Sequence, residues 1–285
     1  MRSHRPPRTA LIAATSALST ALLLAVTACA PTAATAGELS TDNHIHRLVP
    51  SDDGQTLLVG THNGLFDVDA ESGEVTGPVG EHVIDLMGLT RAGDDLLASG
   101  HPGESGPQHP RGPNLGLIRS SDDGRSWQPV SLEGDADFHA LAYDPADQTI
   151  IGAHAGQLLI TDDMGESWRE GAVVEPYDLL ATSQGLLKTS FDGLSISTDM
   201  GQTFQPIEGA PALALLANNA DMVTGVDLDG TLWRSTLGSE WTAEGATPGQ
   251  IHALTILPGG ALVVATASGL QRSNDFGQSW EPLAP

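Results

Sequence analysis

The chain has 285 residues, 33 of them glycine, with 4% aromatic residues and a formal net charge of −24. This excess of acidic residues argues against nucleic acid and anionic lipid surfaces as partners, because phosphate groups are bound through lysine and arginine. A chain of this length can bury one large core, and many glycines with few aromatic residues favour short strands joined by tight turns.

Residues 1–28 have the features of a bacterial lipoprotein signal peptide. Arg2, Arg5 and Arg8 form a basic segment, residues 10–25 are apolar or small, and Val26-Thr27-Ala28-Cys29 follows the pattern of a lipobox. The chain has no other cysteine, which excludes a disulfide within it. We expect lipidation of Cys29 and an extracytoplasmic protein anchored to the bacterial cell membrane. The alternative is an ordinary secretory signal with an incidental cysteine.

Residues 29–43 are predicted to form a flexible tether, because small residues predominate after the lipidated cysteine. Beyond the tether, aromatic residues recur at spacings of 41, 36, 37 and 39 residues: Trp127, Trp168, Phe204, Trp241 and Trp280. A period near 40 with several short strands per repeat is the size of one four-stranded propeller blade.

The repeat that contains Trp127, residues 83–130, also has an insertion rich in proline and glycine, His101 to Asn114. One further repeat precedes it: residues 44–80 keep three strands, but their box is degenerate. Six repeats fit the chain, so we predict an all-β fold, a six-bladed β-propeller with four-stranded blades over residues 44–285. Seven blades are the alternative, if residues 38–42 add a strand.

Four repeats end in an eight-residue box, Ser/Thr-x-Asp-x-Gly-x-Ser/Thr-aromatic. Its hydroxyl and carboxylate groups can bind the backbone N–H groups of a tight turn, its glycine permits a positive φ, and its aromatic ring can anchor in the core. We therefore interpret the box as a folding device. A fifth copy, residues 234–241, keeps only the glycine and the tryptophan. The structural positions are Ser120, Asp122, Gly124, Trp127, Thr161, Asp163, Gly165, Trp168, Ser197, Asp199, Gly201, Phe204, Ser273, Asp275, Gly277 and Trp280.

The boxes resemble the Asp-box, or BNR repeat, of the sialidase-like β-propeller superfamily. Over nearly its whole length after the signal, the chain is similar to bacterial lipoproteins labelled glycosyl-hydrolase-like. A sialidase-like site would need an arginine trio, a Tyr–Glu nucleophile pair and an aspartate acid/base. Only Arg47 and Arg91 lie away from the signal, the boxes and the insertion, so sialidase activity is not expected. A neutral-sugar hydrolase that uses two carboxylates stays open, with Asp85, Asp137, Asp178 and Glu175 as candidates.

A ring of potential metal ligands is the sharpest functional signal. Aligning the six predicted inner strands on the leucine that follows places one residue per blade at equal height: His46, Met87, His139, Asp178, Leu213 and His252. Five of these six residues are of a type that can bind a metal, and they would meet at the mouth of the central channel. His44 lies one pleat before His46, while His62, His101 and His154 fall on hairpins that return to the same face.

Imidazole, thioether and carboxylate groups together suit a soft or borderline transition metal, with copper the best match. The predicted ligands are His46, Met87, His139, Asp178 and His252, supplemented by His44 and His101. The competing interpretation is a wet, polar channel whose histidines and aspartates are satisfied by water and neighbouring groups, with Met87 packing as an apolar residue.

These observations predict a lipid-anchored propeller that binds a metal ion or small ligand at its histidine-rich face. Its membrane contact would be made through the N-terminal lipid, and nucleic acid is not an expected partner. Two alternatives remain: a glycoside hydrolase-like enzyme, and a protein-interaction scaffold that uses the insertion at residues 101–114.

Overall fold

Short runs of alternating apolar and polar residues form antiparallel strands that pair in chain order. The computed structural model describes residues 39, 44–80, 83–103, 112–236 and 239–284. The predicted signal peptide, Cys29 and most of the tether lie outside these residues, as do residues 104–111 of the insertion. Within the described part of the chain there is no helix long and apolar enough to cross a membrane.

The described strands form six sheets of four strands, each in the order of the chain. Blades 1 and 2 contain β1 (Ile45–Pro50), β2 (Thr56–Thr61), β3 (Gly64–Asp69), β4 (Val75–Thr76), β5 (Asp85–Ala92), β6 (Asp95–His101), β7 (Leu117–Ser120) and β8 (Gln128–Ser131). Blades 3 and 4 contain β9 (Ala140–Asp144), β10 (Thr149–His154), β11 (Gln157–Thr161), β12 (Arg169–Val173), β13 (Asp178–Thr182), β14 (Gly185–Ser190), β15 (Gly193–Ser197) and β16 (Gln205–Pro206). Blades 5 and 6 contain β17 (Leu213–Asn219), β18 (Met222–Asp227), β19 (Thr231–Thr236), β20 (Thr242–Ala246), β21 (Ile251–Ile256), β22 (Leu262–Thr266), β23 (Gly269–Ser273) and β24 (Glu281–Ala284).

This arrangement confirms the predicted six-bladed β-propeller. Leu39, which precedes β1, is not part of a described strand; it is buried between blades 6 and 1. The described residues therefore form six blades and not seven.

The hydrophobic core is divided among the six seams between neighbouring blades. Each apolar cluster combines residues of two adjacent blades, as in the seam where Leu57 and Val68 of blade 1 meet Val263 and Leu270 of blade 6. Arg272 of blade 6 also donates a 2.8 Å hydrogen bond to the carbonyl of Ala70 in blade 1. Among the described strands none is exchanged between the first and last blades, so side-chain contacts close the ring.

The box turns have the geometry that their residues require. In the first one, Ser120 Oγ accepts a 2.8 Å hydrogen bond from the Gly124 N–H, and Asp122 accepts bonds from the backbone and the hydroxyl of Ser126. Gly124 has a φ of 81°, and a Cβ atom there would lie 2.1 Å from Leu65 of the preceding blade. The glycine is therefore required both by the turn and by the contact between blades.

The box aromatic residues pack against the preceding blade. Trp127 borders the cluster between blades 1 and 2, and Trp168 borders the one between blades 2 and 3. The Trp168 Nε1–H also donates to Ser131 Oγ at 2.9 Å, and the Trp280 Nε1–H donates to the Ala246 carbonyl at 2.7 Å. Each box thus ties its own blade to its neighbour.

Candidate functional site

The candidate ligands lie at or next to the first residues of the inner strands, and the strand register determines which residue of each blade faces the channel mouth. Six buried leucines share one register position next to the channel: Leu48, Leu89, Leu141, Leu179, Leu216 and Leu254. Two residues before them stand His46, Met87, His139, Tyr177, Ala214 and His252. In four blades this position is a β-bulge, where the pairing with the second strand skips one residue.

Two predicted members of the ring are therefore displaced by one residue. Asp178 pairs with Thr189 and occupies the register of Arg47, so Tyr177 takes the place predicted for it. Leu213 precedes the bulge in blade 5, and Ala214 takes its place. Both errors arise at Leu-Leu pairs, 179–180 and 215–216, where the sequence offers two equivalent alignments. Because neighbouring side chains on a strand point to opposite faces, a shift of one residue changes the environment completely.

Asp178 is held by Arg47 instead of by histidines. Its Oδ1 lies 3.5 Å from Arg47 Nη1, and its oxygens accept hydrogen bonds from the N–H groups of Leu179 and Leu216. Burial raises the pKa of Asp178, while Arg47 and the two N–H groups oppose that rise. Both charged side chains line the central cavity of about 340 Å³, which the inner strands surround.

Histidine and aspartate side chains of blades 1 to 3 form one continuous chain of contacts, which we term the His/Asp cluster. His62 Nδ1 lies 2.7 Å from Asp85 Oδ1, and His101 Nδ1 lies 3.1 Å from Asp85 Oδ2. His101 Nε2 in turn lies 3.4 Å from Asp137 Oδ2, which is 2.7 Å from His139 Nε2. Two carboxylates thus alternate with three imidazoles; the cluster comprises His46, His62, Asp85, His101, Asp137 and His139.

His46 is the most enclosed imidazole of the cluster. The centroid of its ring is 4.4 Å from that of the His62 ring. Its Nε2 is buried and has no hydrogen-bond partner among the described residues. Burial, aided by the nearby His62, lowers the pKa of His46 to about 4, so the ring is neutral at neutral pH. One ligand atom from each of His46, His62 and Asp85 lies within 4.8 Å of the other two.

Asp137 and His139 form the other end of the cluster. Burial works to raise the pKa of Asp137, but the hydrogen bond from His139 and the neighbouring histidines outweigh it and lower that pKa. The same hydrogen bond raises the pKa of His139. The backbone N–H of Asp137 donates to His154 Nδ1 at 3.2 Å, so His154 supports the loop that carries Asp137.

The remaining predicted ligands lie at the rim. The His44 ring is 5.3 Å from that of His62 and 6.4 Å from that of His252, which is exposed. Met87 is half-buried on the bulge of β5. The structure thus gathers His46, His101 and His139 with two aspartates, and it leaves His44 and His252 at the edge.

Asp85 and Asp137 were noted in the sequence only as possible hydrolase carboxylates. They lie two residues before Met87 and His139, the same spacing that separates His44 from His46. The position two residues before each predicted ligand was therefore a signal that the sequence offered.

No family model matches the chain, and no curated protein matches it. Among solved structures, an ancestral GH74 enzyme is 13% identical, with a TM-score of 0.55 over 88% of this chain and 39% of that chain. PorZ, a surface component of the type IX secretion system of Porphyromonas gingivalis, is 12% identical, with a TM-score of 0.56 over 85% of this chain and 32% of PorZ.

A streptogramin B lyase is 17% identical, with a TM-score of 0.56 over 85% of this chain and 84% of the lyase. The chain spans only about a third to two fifths of the GH74 enzyme and PorZ. At these identities the likeness concerns the fold and not the activity. Sequence repeats, strand pairing and structural neighbours agree that the chain is a β-propeller.

Proposed function

We propose that the protein binds a divalent transition-metal ion at the His/Asp cluster, through His46, His62 and Asp85. One observation carries this proposal: the neutral imidazole of His46 has a buried Nε2 with no hydrogen-bond partner among the described residues, and the ring offers a ligand atom within 4.8 Å of one on His62 and one on Asp85. A buried polar atom left unpaired costs free energy, and an ion coordinated there would remove that cost.

The donor atoms favour a borderline ion. Two imidazoles and a carboxylate suit Cu²⁺, Zn²⁺, Ni²⁺ or Fe²⁺, and among divalent ions of this row Cu²⁺ binds most tightly to a given set of ligands. Copper is therefore favoured by this affinity order, with two imidazoles and a carboxylate as ligands. The acidic surface, with a net charge of −24, would also raise the local concentration of cations.

The test is a Cu²⁺ titration of the purified protein in competition with a chelator of known affinity. Replacing His46 by alanine removes a ligand without adding charge, and we expect the tightest site to weaken by more than about 100-fold, the upper range for losing a group that only orients a ligand. The matched control is His252→Ala, an exposed histidine at the rim, which should leave that affinity unchanged. Equal affinities for wild type and His46→Ala, or no Cu²⁺ bound by the wild type, would overturn the proposal.

We further propose that the propeller works outside the cytoplasm, anchored by a lipid on Cys29. Support comes from the basic segment, the apolar run and the small residues before Cys29. In a bacterial host, we expect the wild type in the membrane fraction and released by detergent, while Cys29→Ser loses the lipid-dependent retention. The serine variant of the neighbouring Ala30 is the control. Equal retention of the Cys29→Ser protein would show that the cysteine does not anchor the chain.

A further inference from the structure

We propose that Ser190 and Lys188 form a nucleophile–base pair that accepts the acyl group of a neutral, apolar carboxylic ester. The pair belongs to blade 4 and shares no residue with the His/Asp cluster. Lys188 is the one lysine among 285 residues, in a chain that has 36 aspartates and glutamates. Lysines mostly lie at protein surfaces, yet this residue is only 5% exposed.

The strand β14 places the two side chains on one side. Residues two apart on a strand point the same way, so Lys188 and Ser190 follow Leu186, a member of the apolar cluster between blades 3 and 4. Ser190 is the last residue of β14 and pairs with Gly193 across the hairpin. The lysine therefore lies inside the seam between the two blades, and the half-buried serine lies nearer to the rim.

The surroundings of the Lys188 amine suit a base. Its Nζ lies 2.9 Å from Ser190 Oγ and 5.4 Å from the centre of the Phe204 ring. In the described part of the chain no carboxylate forms an ion pair with Nζ. Burial lowers the pKa of Lys188, and the carboxylate of Asp192 opposes that shift without cancelling it. A larger share of this amine is therefore neutral than in an exposed lysine, and the neutral form can accept a proton.

A neutral amine within hydrogen-bonding distance of a hydroxyl group is an arrangement that activates serine. Ser190 Oγ transfers its proton to Lys188 Nζ as it attacks the carbonyl carbon of the ester. The bond between that carbon and the alkoxy oxygen breaks, and the alcohol leaves with the proton from Nζ. Water, deprotonated by the same amine, then attacks the acyl group. The proton returns to Oγ, and the carboxylic acid is released.

The pocket in front of the pair indicates the kind of ester. It measures about 660 Å³, and both Lys188 and Ser190 line it. Its walls are mostly apolar, which favours an apolar acyl or alkyl group. The apolar wall residues are Val173, Val174, Pro176, Tyr177 and Phe191. Glu175 and Asp192 also line the pocket and would repel an anionic substrate.

The test is covalent labelling of the full chain with an alkyl fluorophosphonate, a reagent that reacts with activated serines. The buffer contains a chelator, so that no ion at the His/Asp cluster takes part in the reaction. We expect one adduct per molecule, located on Ser190 by peptide mass spectrometry, and none in Ser190→Ala. The matched control is Ser268→Ala, an exposed serine on the corresponding hairpin of blade 6, which should keep the full labelling rate.

Two lysine variants separate a base from a structural cation. Lys188→Met keeps most of the side chain without the amine, and Lys188→Arg keeps the positive charge but cannot release its proton. Both should slow the labelling of Ser190 by about 100-fold or more, the usual contribution of a positioned base. Far-ultraviolet circular dichroism and the melting temperature report whether each variant folds.

The pH dependence of labelling is a further readout that a structural lysine would not change. The base acts when it is deprotonated, so the wild-type rate should rise with pH. It should level off below about 10.4, the pKa of an ordinary lysine, because burial lowers the pKa of Lys188. Lys188→Met should lack this rise.

Acyl transfer itself is measured with p-nitrophenyl butyrate, a neutral and apolar ester. The wild type should release at least one equivalent of p-nitrophenolate, and Ser190→Ala should release none above background. The inference is refuted by any of three results: no adduct on Ser190, equal labelling rates for the wild type and folded Lys188→Met, or no release from the ester. Because these measurements are made without metal, each result is independent of the proposed metal site.

Discussion

Arg47 reaches across the central channel from blade 1 to blade 4, the blade on the opposite side of a six-membered ring. Its side chain is 18% exposed and that of its partner, Asp178, is 12% exposed, so both charges are largely removed from water. Replacing both partners of such a pair by uncharged groups often changes stability little, whereas removing one partner leaves an uncompensated buried charge. The pair therefore joins opposite sides of the central channel.

We predict that Arg47→Ala destabilises the fold by about 3–5 kcal/mol, the cost of breaking a buried ion pair on one side. The double variant Arg47→Met with Asp178→Asn removes both charges, and its free energy of unfolding should fall by less than that of Arg47→Ala. Urea unfolding of the three proteins measures the difference. A double variant at least as unstable as the single one would show that the charge pair is not the source of the effect.

Single residues also mark the limit of prediction from the sequence. His46, His101 and His139 were predicted to share one face and they do, because strand starts and hairpin positions follow directly from the repeat. Asp178 was misplaced because Leu179 and Leu180 align equally well with the leucine of the other blades. Burial distinguishes them in the structure, where Leu179 is 5% exposed and Leu180 is not part of the buried core.

At the scale of the elements, the box turns respond to acid in a defined direction. The hydroxyl and N–H of Ser126, with the hydroxyl of Ser120, lower the pKa of Asp122 to about 2, and Thr203 and Ser197 do the same for Asp199. A carboxyl group whose pKa is lower in the folded than in the unfolded chain stabilises the fold above the unfolded value. The stabilisation that each of these carboxylates gives to the fold is complete above about pH 4 and is lost as the pH falls to about 2.

We therefore predict that Asp122→Asn reduces the drop in melting temperature between pH 4 and pH 2. Asparagine keeps the size of the side chain but cannot titrate. The loss of stability that protonation of Asp122 causes is therefore absent from the variant. The control is Asp162→Asn, an exposed aspartate in the box of the next blade that is not the capping residue. Identical pH profiles for wild type and Asp122→Asn would contradict this account of the turn.

β-Bulges at the start of the inner strands are not visible in the sequence repeat. In blades 1, 2, 5 and 6 one extra residue stands at the start of the inner strand: His46, Met87, Ala214 and His252. A bulge inserts one unpaired residue and re-aims its side chain, so the alternation of faces shifts by one across it. Four of the six residues at the channel mouth were predicted, and Asp178 and Leu213 were one residue out of place.

Across the whole molecule, the face that bears the His/Asp cluster has two different halves. Histidines and aspartates occupy blades 1 to 3, with His252 of blade 6 at the edge. Blades 4 and 5 instead present apolar side chains on their hairpins, Phe191 at 91% and Leu228 at 85% exposure. The six-bladed ring itself was predictable, since a period of about 40 residues determines the number and size of the blades. The division of the face was not, because it depends on hairpin residues that the repeat does not constrain.

The polypeptide enters the ring on this same face. His44 immediately precedes β1, and its imidazole is 5.3 Å from that of His62. Leu39 is buried between blades 6 and 1, so ten peptide links separate the ring from Cys29, a contour length of at most roughly 36 Å. Acylation at Cys29 would accordingly keep the propeller within that distance of the bilayer.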